Sequence, residues 1–544
     1  MVLRSRPPET DPSGLLHPGL PALLISSRVH GASRGISREY SCKPRALDPA
    51  AETPSSSSQG SGSTQTPSSG NTLSKSSDLS RPIVSLPRPG WAGGAFGIGV
   101  GGGCYLGGAT KAKAIALWPF HRSKPAARDP KDKKRILIMM SNTGGGHKAS
   151  AEALRDVFHE KHGDKYEIHI EDMWKDHTPW PFNTMPDSYS FLVRHSLLWR
   201  LSYEVMQPRW AHLTHFRLMS LFMRAGLHRA FDAIRPDLVV SVHPLMQHIP
   251  IWVLKHRVHT GRMAPINFAT VVTDFTTCHN TWFHTDATRC FVPTDYCAGL
   301  AARNGLVPAQ VVQHGLPIRP VFSKKQLGRR AMRRRLGLDP RRPTVLLIGG
   351  GEGMGALEDT VAQLDARLGA AAQVVVVCGR NRALLEKLRT RHNPGGLKVV
   401  ATGFVNNIHE WMAASDAIIT KAGPGTIAEA LISGLPILLN GNIPCQEEGN
   451  IPYVVENRVG AFETSPPKIA RIMAQWLAKE NAGEFAAMAE RSRALGRPEA
   501  VYRIVSDLRD LVHNPDYTYG PAKQARTKGA VAYKPPAAPA AAPA

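Results

Sequence analysis

The chain has 544 residues, of which 42% are apolar, so it is long enough for two packed domains with unpacked ends. Its formal net charge of +24 suits nucleic acid, an anionic membrane surface or an anionic substrate equally well, so charge alone does not identify the partner. The sequence contains no run of eighteen uninterrupted apolar residues, which argues against a spanning helix. Its seven cysteines are scattered without a C-x-x-C pair, so we infer a reducing compartment and no structural metal.

The two ends of the chain have low-complexity composition. Residues 1–130 are rich in Ser, Pro, Gly and Arg and poor in acidic and aromatic residues, which predicts a disordered leader. Arginines among many serines are typical of an organelle transit peptide, and this pattern serves mitochondria and chloroplasts alike. Residues 91–117 are so glycine-rich that we interpret them as a linker. The Pro- and Ala-rich residues 514–544 predict a second disordered tail.

Between these ends, short β-branched runs alternate with amphipathic stretches, which predicts α/β structure with parallel sheets wound by helices. We expect an N-terminal domain over residues 131–330 and a C-terminal domain over residues 331–513. An arginine cluster at residues 329–335 marks the break, and we interpret it as a solvated helix face. The runs that predict strands are residues 135–140, 238–242, 268–272, 344–348, 373–377 and 416–420.

The first informative turn, residues 141–150, follows the first predicted strand and contains three glycines before His147. A histidine here lies above the carboxyl ends of the strands, where open α/β sheets bind ligands, and it can act as a general base near neutral pH. Two alternatives remain open: the histidine could merely cap the helix, or the turn could belong to a dinucleotide fingerprint. The residues of that fingerprint would be Gly144, Gly146, Ala149, Glu171 and Asp172.

A second glycine-rich turn, residues 349–355, opens the second predicted domain. Glu352 and Met354 fall where a dinucleotide fingerprint requires glycine. We therefore interpret this turn, which includes Gly353, as a phosphate-compatible loop without the dinucleotide fingerprint.

The third turn, residues 420–430, again joins a strand, a glycine-rich loop and a helix. Free amides at the start of that helix would hold a diphosphate, and Glu429 could chelate two ribose hydroxyls. A purely structural turn would not need Gly, Pro, Gly and a carboxylate together. This turn is therefore the most specific of the three.

With these three turns, residues 135–513 resemble plant and algal monogalactosyldiacylglycerol synthases, relatives of the MurG-type transferases in glycosyltransferase family 28. The resemblance implies the GT-B fold, in which two Rossmann-like domains face a central cleft. It also implies transfer of galactose from UDP-galactose to diacylglycerol with inversion, at the chloroplast envelope membrane. The carrying segments are SNTGGGHKASAEAL, PWPFNTMPDSY, VVTDF, GLPIRP, IGGGEGMG, CGRN, KAGPGTIAEAL and CQEEGNIPYVVEN.

The same resemblance implies that the second domain binds the UDP-sugar. Residues 378–382 lie beside the base or ribose, residues 402–404 flank the uracil, and Glu447 faces the sugar hydroxyls. Arg319 reaches across from the first domain as a cation for the diphosphate. No D-x-D motif is present, and we expect no required metal. The expected UDP-sugar ligands are Arg319, Gly353, Cys378, Gly379, Arg380, Asn381, Arg382, Thr402, Gly403, Phe404, Lys421, Gly425, Thr426, Ile427, Ala428, Glu429 and Glu447.

On the first domain, the resemblance puts His147 and Pro181 at the acceptor site and implicates them in binding an activating anionic lipid. Residues 179–203 around Pro181 mix aromatic and basic side chains, as segments that enter lipid headgroups do. An ordinary core helix behind a proline loop is the alternative. The expected partners are UDP-galactose, diacylglycerol, anionic phospholipids and a membrane surface, with no nucleic acid, and a homodimer is left open.

For the mechanism, we hypothesise that His147, assisted by Asp274 of the VVTDF segment, removes the proton from the diacylglycerol hydroxyl. The departing UDP is stabilised by glycine-loop amides, Lys421 and Arg319. Asp274 could equally orient the histidine or cap a strand end. A related transferase with UDP-glucose or another lipid acceptor is the alternative enzyme. A non-catalytic lipid- or nucleic-acid-binding protein would explain the charge without the three turns.

Overall fold

The computed structural model describes residues 132–142, 145–349 and 356–516. The leader and nearly all of the tail predicted to be disordered lie outside these described residues, as does the glycine-rich stretch at residues 91–117. The described part of the chain forms two parallel sheets with helices on their faces, which confirms the predicted α/β fold class.

The described residues of the first half form a six-stranded sheet and seven α-helices. Its strands are β1 (Lys134–Met140), β2 (Tyr166–Asp172), β3 (Leu238–Ser241), β4 (Asn267–Val271), β5 (Arg289–Val292) and β6 (Val311–Gln313). Its helices are α1 (Gly145–His162), α2 (Met173–His177), α3 (Met185–Arg194), α4 (Ser196–Val205), α5 (Arg209–Ile234), α6 (His248–His259) and α7 (Asp295–Arg303).

The second half contains another six-stranded sheet and nine α-helices. Its strands are β7 (Thr344–Ile348), β8 (Gln373–Val377), β9 (Lys398–Thr402), β10 (Ala417–Thr420), β11 (Ile437–Leu439) and β12 (Gly460–Phe462). Its helices are α8 (Arg329–Arg335), α9 (Leu357–Leu368), α10 (Arg382–Thr390), α11 (Ile408–Ala414), α12 (Pro424–Ser433), α13 (Asn450–Glu456), α14 (Pro466–Leu477), α15 (Ala482–Leu495) and α16 (Ala500–His513).

All six predicted runs are confirmed as strands, namely β1, β3, β4, β7, β8 and β10. They read as nearly continuous apolar segments because helices cover both faces of a parallel sheet. In β1, Ile136 and Ile138 pack into one buried cluster, whereas Leu137 and Met139 pack into the cluster on the opposite face. This alternation follows from the two-residue period of a strand.

Strand order puts a topological switch point in each sheet. The first sheet runs β2-β1-β3-β4-β5-β6, so the order in which strands are added to the sheet reverses between β1 and β3. The second runs β12-β11-β10-β7-β8-β9, so its strand order reverses between β7 and β10. Ligands of open α/β sheets bind in the crevice that such a reversal leaves at the carboxyl ends of the strands. The His147 turn and the residue 420–430 turn follow β1 and β10, at these two places.

The last helix, α16, packs against the first sheet. Ile504 and Leu508 of α16 lie in the same buried cluster as Ile136 of β1. The Asn267 amide donates to the carbonyl of Leu511 at 2.6 Å and so ties the end of α16 to β4. The domain limits at residues 330 and 513 stay a prediction. The structure adds that α16, near the end of the described chain, packs against the sheet of the first half.

The arginine cluster of α8 is only partly a solvated face. Arg333 is buried, forms a close ion pair with Asp416 and donates to the Ala414 carbonyl at 2.8 Å. Arg329 adds a second ion pair to Asp416 at 2.9 Å. Our interpretation was therefore wrong for these two arginines, which fasten α8 to the start of β10.

Cys278 and Cys297 form a disulfide, which the scatter of cysteines did not predict. Cys278 lies in the loop after β4 and Cys297 lies in α7, which follows the neighbouring strand β5. Adjacent parallel strands bring these segments together although they are distant in sequence. Scatter along the sequence was therefore no sound basis for inferring a reducing compartment.

Candidate functional site

His147 lies in the first turn of α1, at the switch point of the first sheet. Its Nδ1 is 2.9 Å from the Val242 carbonyl oxygen and 2.7 Å from the Thr273 hydroxyl oxygen. A carbonyl oxygen can only accept, so Nδ1 carries the proton in the neutral ring. Nε2 is therefore the nitrogen with a lone pair, and it is the atom that can act as a base.

The surroundings of His147 keep the ring neutral. Its ring is 4.5 Å from the ring of His243 and 6.1 Å from that of Trp282. Burial lowers the pKa of His147 to about 4, and the hydrogen bond to Val242 only partly opposes this shift. The imidazole is thus uncharged at neutral pH.

Asp274 follows β4, close to the His147 pocket. Its Oδ2 accepts a hydrogen bond from the Trp282 indole at 2.6 Å, and Gln446 also hydrogen-bonds its carboxylate. Burial raises the pKa of Asp274 to about 6. The groups that orient His147 are Val242 and Thr273, so the alternative in which Asp274 orients the histidine has no support in the hydrogen bonds of the described residues.

The structure disfavours the dinucleotide alternative for the first turn. Asp172 caps α2 by accepting from the Lys175 amide at 3.2 Å, and it also accepts from the Asn142 amide at 2.9 Å. Glu171 pairs with His177 at 3.1 Å. Both acidic side chains that the fingerprint would need for a ribose are therefore engaged in holding the fold.

The residue 420–430 turn contains the amino terminus of α12, where no side chain caps the helix. Pro424, the first helical residue, has no N–H, so the next amides, those of Gly425 and Thr426, form the positive end of the helix. A Cβ added at Gly425 would meet nothing within 4 Å. This open helix end has the chemistry that binds a diphosphate.

Two ion pairs flank the same helix end. Arg319 donates to Glu429 at 2.6 Å, and burial raises the pKa of Glu429 while Arg319 lowers it. Lys421 forms a close ion pair with Glu447, whose other oxygen accepts from the Ile443 amide at 2.8 Å. Arg319 therefore lies at the carboxylate predicted to hold the ribose, and Glu447 closes the loop that begins at residue 443.

The residues predicted to surround the base meet at the ends of β8 and β9. The Cys378 amide donates to the Thr402 carbonyl at 2.8 Å, and a Cβ on Gly403 would lie 3.7 Å from the Gly379 carbonyl oxygen. The Asn381 side chain caps α10, which begins with the exposed Arg382, and Arg380 is also exposed. Phe404 is 69% exposed, so its ring face is accessible. Gly353 lies outside the described residues.

Contacts between the two halves of the chain bring these groups together. The Thr276 hydroxyl donates to the Asn450 side chain at 2.6 Å, and the Gly449 amide donates to the Thr277 hydroxyl at 2.8 Å. Asn450 in turn donates to the Ala422 carbonyl, inside the residue 420–430 turn. The segment that carries Asp274 therefore borders the loop that carries Glu447.

Several residues at this junction were not singled out from the sequence. Thr273 and Asn450 stand inside the quoted VVTDF and CQEEGN segments, so these motifs were a usable signal. Trp282 carried no signal, because its role depends on the tertiary contact with Asp274.

Helices α3, α4 and α5 present apolar side chains to solvent. Leu197 is 78% exposed and Trp210 is 76% exposed. The alternative of an ordinary core helix does not explain such exposure, which marks an interaction surface. Pro181 lies in an exposed turn ahead of α3. No described helix combines the length and apolar character that crossing a bilayer requires.

Among the described residues, no group of three His, Cys, Asp or Glu side chains is arranged to hold a metal ion.

Comparison with known proteins identifies related sequences. The family model for monogalactosyldiacylglycerol (MGDG) synthase matches residues 147–318, and that for the glycosyltransferase family 28 C-terminal domain matches residues 344–449. The chain is 47% identical over 392 residues to chloroplastic MGDG synthase of Spinacia oleracea, covering 71% of this chain and 74% of that protein. It is 47% identical over 385 residues to chloroplastic MGDG synthase 1 of Arabidopsis thaliana, covering 70% of this chain and 71% of that protein. The crystal structure of Acinetobacter baumannii MurG matches at 13% identity with a TM-score of 0.45, covering 69% of this chain and 99% of that chain.

Proposed function

This chain belongs to the monogalactosyldiacylglycerol (MGDG) synthase family, and we propose that it moves galactose from UDP-galactose to the free hydroxyl of 1,2-diacylglycerol with inversion. Formation of MGDG from diacylglycerol follows from 47% identity to synthases that carry this name. The UDP donor, the inversion and the roles of individual residues are our proposal.

One observation carries the proposal: an imidazole with a free Nε2 and an uncapped helix end flank the same junction between the two halves. The loop after β4 connects them, since Thr273 of this loop hydrogen-bonds His147 and Thr276 hydrogen-bonds Asn450. Asn450 then bonds the residue 420–430 turn. Acceptor activation and leaving-group stabilisation need this proximity.

For the acceptor, Nε2 of His147 takes the hydroxyl proton of diacylglycerol as that oxygen attacks the anomeric carbon. Burial keeps the ring uncharged, so the lone pair is present throughout the neutral range. The Asp274 carboxylate stabilises positive charge in this pocket when it is ionised. After transfer the imidazolium releases its proton to solvent.

For the donor, the bond between the anomeric carbon and the β-phosphate oxygen breaks, and UDP leaves with the electron pair. The amides of Gly425 and Thr426, together with Lys421 and Arg319, offset the negative charge that develops on that oxygen. We propose that no divalent metal is required for this step. Attack opposite to the departing UDP gives a β-galactoside.

For the membrane, we propose peripheral binding to the chloroplast envelope through the exposed faces of α3 to α5. Arg217 and Arg224 are exposed on α5, where Leu221 is also exposed. Basic groups beside apolar side chains favour an anionic bilayer surface. Anionic phospholipid would then act as an activator, with His147 and Pro181 as its proposed contacts, and the relatives are named chloroplastic.

The test is sugar transfer by the purified full-length chain to vesicles that contain diacylglycerol. UDP-galactose and UDP-glucose are compared, each with and without EDTA and with and without anionic phospholipid. We expect β-galactolipid in the presence of EDTA, at a rate that anionic lipid raises.

Preference for UDP-glucose in this experiment would overturn the proposed donor. Loss of turnover in EDTA, restored by a divalent metal, would overturn the metal-free step. An α-linked product would overturn inversion.

A further inference from the structure

Four polar contacts among the described residues join the helical hairpin α3–α4 (residues 185–205) to the loop at residues 443–450, which we call the donor loop because it carries Glu447. The Trp199 indole donates to the Pro444 carbonyl at 2.9 Å. The Tyr189 hydroxyl donates to the Gln446 side chain at 3.0 Å. Arg200 pairs with Glu448 at 3.0 Å. The Cys445 thiol also lies 3.9 Å from the Glu204 carboxylate, so the hairpin contacts the donor loop at positions 444, 445, 446 and 448.

Glu447, between Gln446 and Glu448, instead contacts the residue 420–430 turn. Glu447 is buried and binds Lys421 beside the open end of α12. Because Glu447 also accepts from the Ile443 amide, its position depends on the backbone of the donor loop. A force that fixes residues 444 to 448 therefore also fixes the carboxylate proposed to face the donor sugar.

Gln446 extends the connection to the catalytic pocket. Its carbonyl oxygen accepts from Tyr189, and the same side chain hydrogen-bonds Asp274. One amide thus links the hairpin to a proposed catalytic carboxylate. The rings of Tyr189 and Trp199 meet edge to face, with centroids 5.4 Å apart, which holds both donors in one geometry.

The opposite face of the same hairpin is exposed and apolar. Leu197, Leu198 and Leu201 of α4 and Phe191 of α3 all present large side chains to solvent. Each of these residues lies within two positions of Tyr189 or Trp199 in sequence, so one short pair of helices has one face to the donor loop and one face to solvent. Any surface that receives the apolar face also fixes the other face.

We propose that Tyr189 and Trp199 are positioning residues that hold the donor loop, so that seating the α3–α4 hairpin on a bilayer tightens donor binding. This inference rests on the proposed function for the identity of the donor. It assigns the hairpin a role in the donor half of the reaction, in addition to contact with the membrane.

The test uses Tyr189→Phe and Trp199→Phe in the full-length chain, because each removes one hydrogen-bond donor and keeps an aromatic ring. UDP affinity is measured by calorimetry with and without vesicles, and donor and acceptor kinetics are measured on the same vesicles. For the unaltered chain, we expect vesicles to strengthen UDP binding. In each variant we expect this gain to shrink and the donor KM to rise by about three- to tenfold, as one lost hydrogen bond allows. Vesicle cosedimentation and the acceptor dependence stay unchanged.

A double variant distinguishes positioning from a general structural effect. If Tyr189 acts through Gln446, then Tyr189→Phe adds little to the donor KM of Gln446→Met. Tyr296→Phe, an exposed tyrosine on α7, removes a hydroxyl elsewhere and serves as the matched control. Thermal unfolding midpoints verify that each variant is folded.

Two results would overturn the inference: UDP affinity of the unaltered chain that vesicles do not change, or variants that keep both its donor KM and its vesicle-dependent gain. These outcomes are separable from failure of the proposed function. A chain that transfers no galactose would still report coupling through the UDP-binding measurement.

Discussion

The Nδ1 of His147 lies 2.9 Å from the carbonyl oxygen of Val242, and this single contact determines which nitrogen of the ring is free. Val242 follows β3 and His147 follows β1, the two parallel strands between which the strand order of the first sheet reverses. The switch point therefore supplies both the base and the group that fixes its tautomer.

The first prediction concerns His147 itself. His147→Ala removes the only nitrogen that we assign as the base, so kcat should fall by about 10²- to 10⁴-fold, the range that general-base catalysis contributes. Donor affinity should stay within about twofold in a UDP calorimetric titration, since the proposed donor groups other than Arg319 lie on the other half of the chain. Undiminished turnover would exclude His147 as the base.

The second prediction concerns the pH dependence of folding stability. Burial raises the pKa of Asp274 from 3.8 to about 6, so between these values the folded chain binds more protons than the unfolded chain. Asp274 therefore favours folding most at low pH, and this contribution is lost as pH rises through about 6. Asp274→Asn keeps an acceptor for Trp282 without the buried charge. The variant should raise the free energy of unfolding at pH 7.5. This change in free energy should exceed the change that the same variant causes at pH 4 by up to about 3 kcal/mol.

Urea unfolding of the two proteins at both pH values measures this difference. The same variant should lose galactosyl transfer, because the ionised carboxylate is the form we propose to act in catalysis. An effect on stability that is equal at pH 4 and pH 7.5 would contradict the raised pKa.

The third prediction tests the junction between the halves. A Cβ on Gly449 would overlap the Thr277 hydroxyl and lie 2.9 Å from that of Thr276, the two threonines that bond the donor loop. Gly449→Ala should therefore separate the loop from the segment after β4 and raise the donor KM by tenfold or more. Gly483→Ala is the matched control, because a Cβ there meets nothing within 4 Å. Equal donor KM values for the two variants would mean that the junction does not support donor binding.

How far the sequence predicts this molecule depends on the range of the interactions. Strands such as β1 and β10 and the turns that follow them are local patterns, so both switch-point turns could be recognised before the fold was known. The packing of α16 against the first sheet is not a local pattern. Its apolar face would suit either half, and the complementary surface next to Ile136 determines which half it contacts.

Pairs of side chains that are distant in sequence were likewise not predictable from local patterns. The family resemblance singled out Arg319 and Glu429 separately, but nothing along the sequence indicated that they form an ion pair at 2.6 Å. Trp282 likewise became visible only through its bond to Asp274. Pairing between distant segments depends on how the two sheets meet, and the hydrophobic pattern of either sheet does not encode it.

The last prediction concerns the apolar surface of α4 and α5. Leu197 and Leu221 are 78% and 67% exposed, so replacing them by serine removes little buried area from the folded chain. Burying a leucine in lipid contributes about 1.5 to 3 kcal/mol, so Leu197→Ser with Leu221→Ser should weaken vesicle binding by at least tenfold.

Leu327→Ser, which alters a leucine that is 49% exposed ahead of α8, is the control and should bind vesicles normally. Cosedimentation across vesicle concentrations measures both. Because the altered side chains are exposed and take no part in the donor-loop contacts described above, the UDP affinity of the double variant without vesicles should match that of the unaltered chain. Unchanged vesicle binding by the double variant would exclude this surface as the membrane contact.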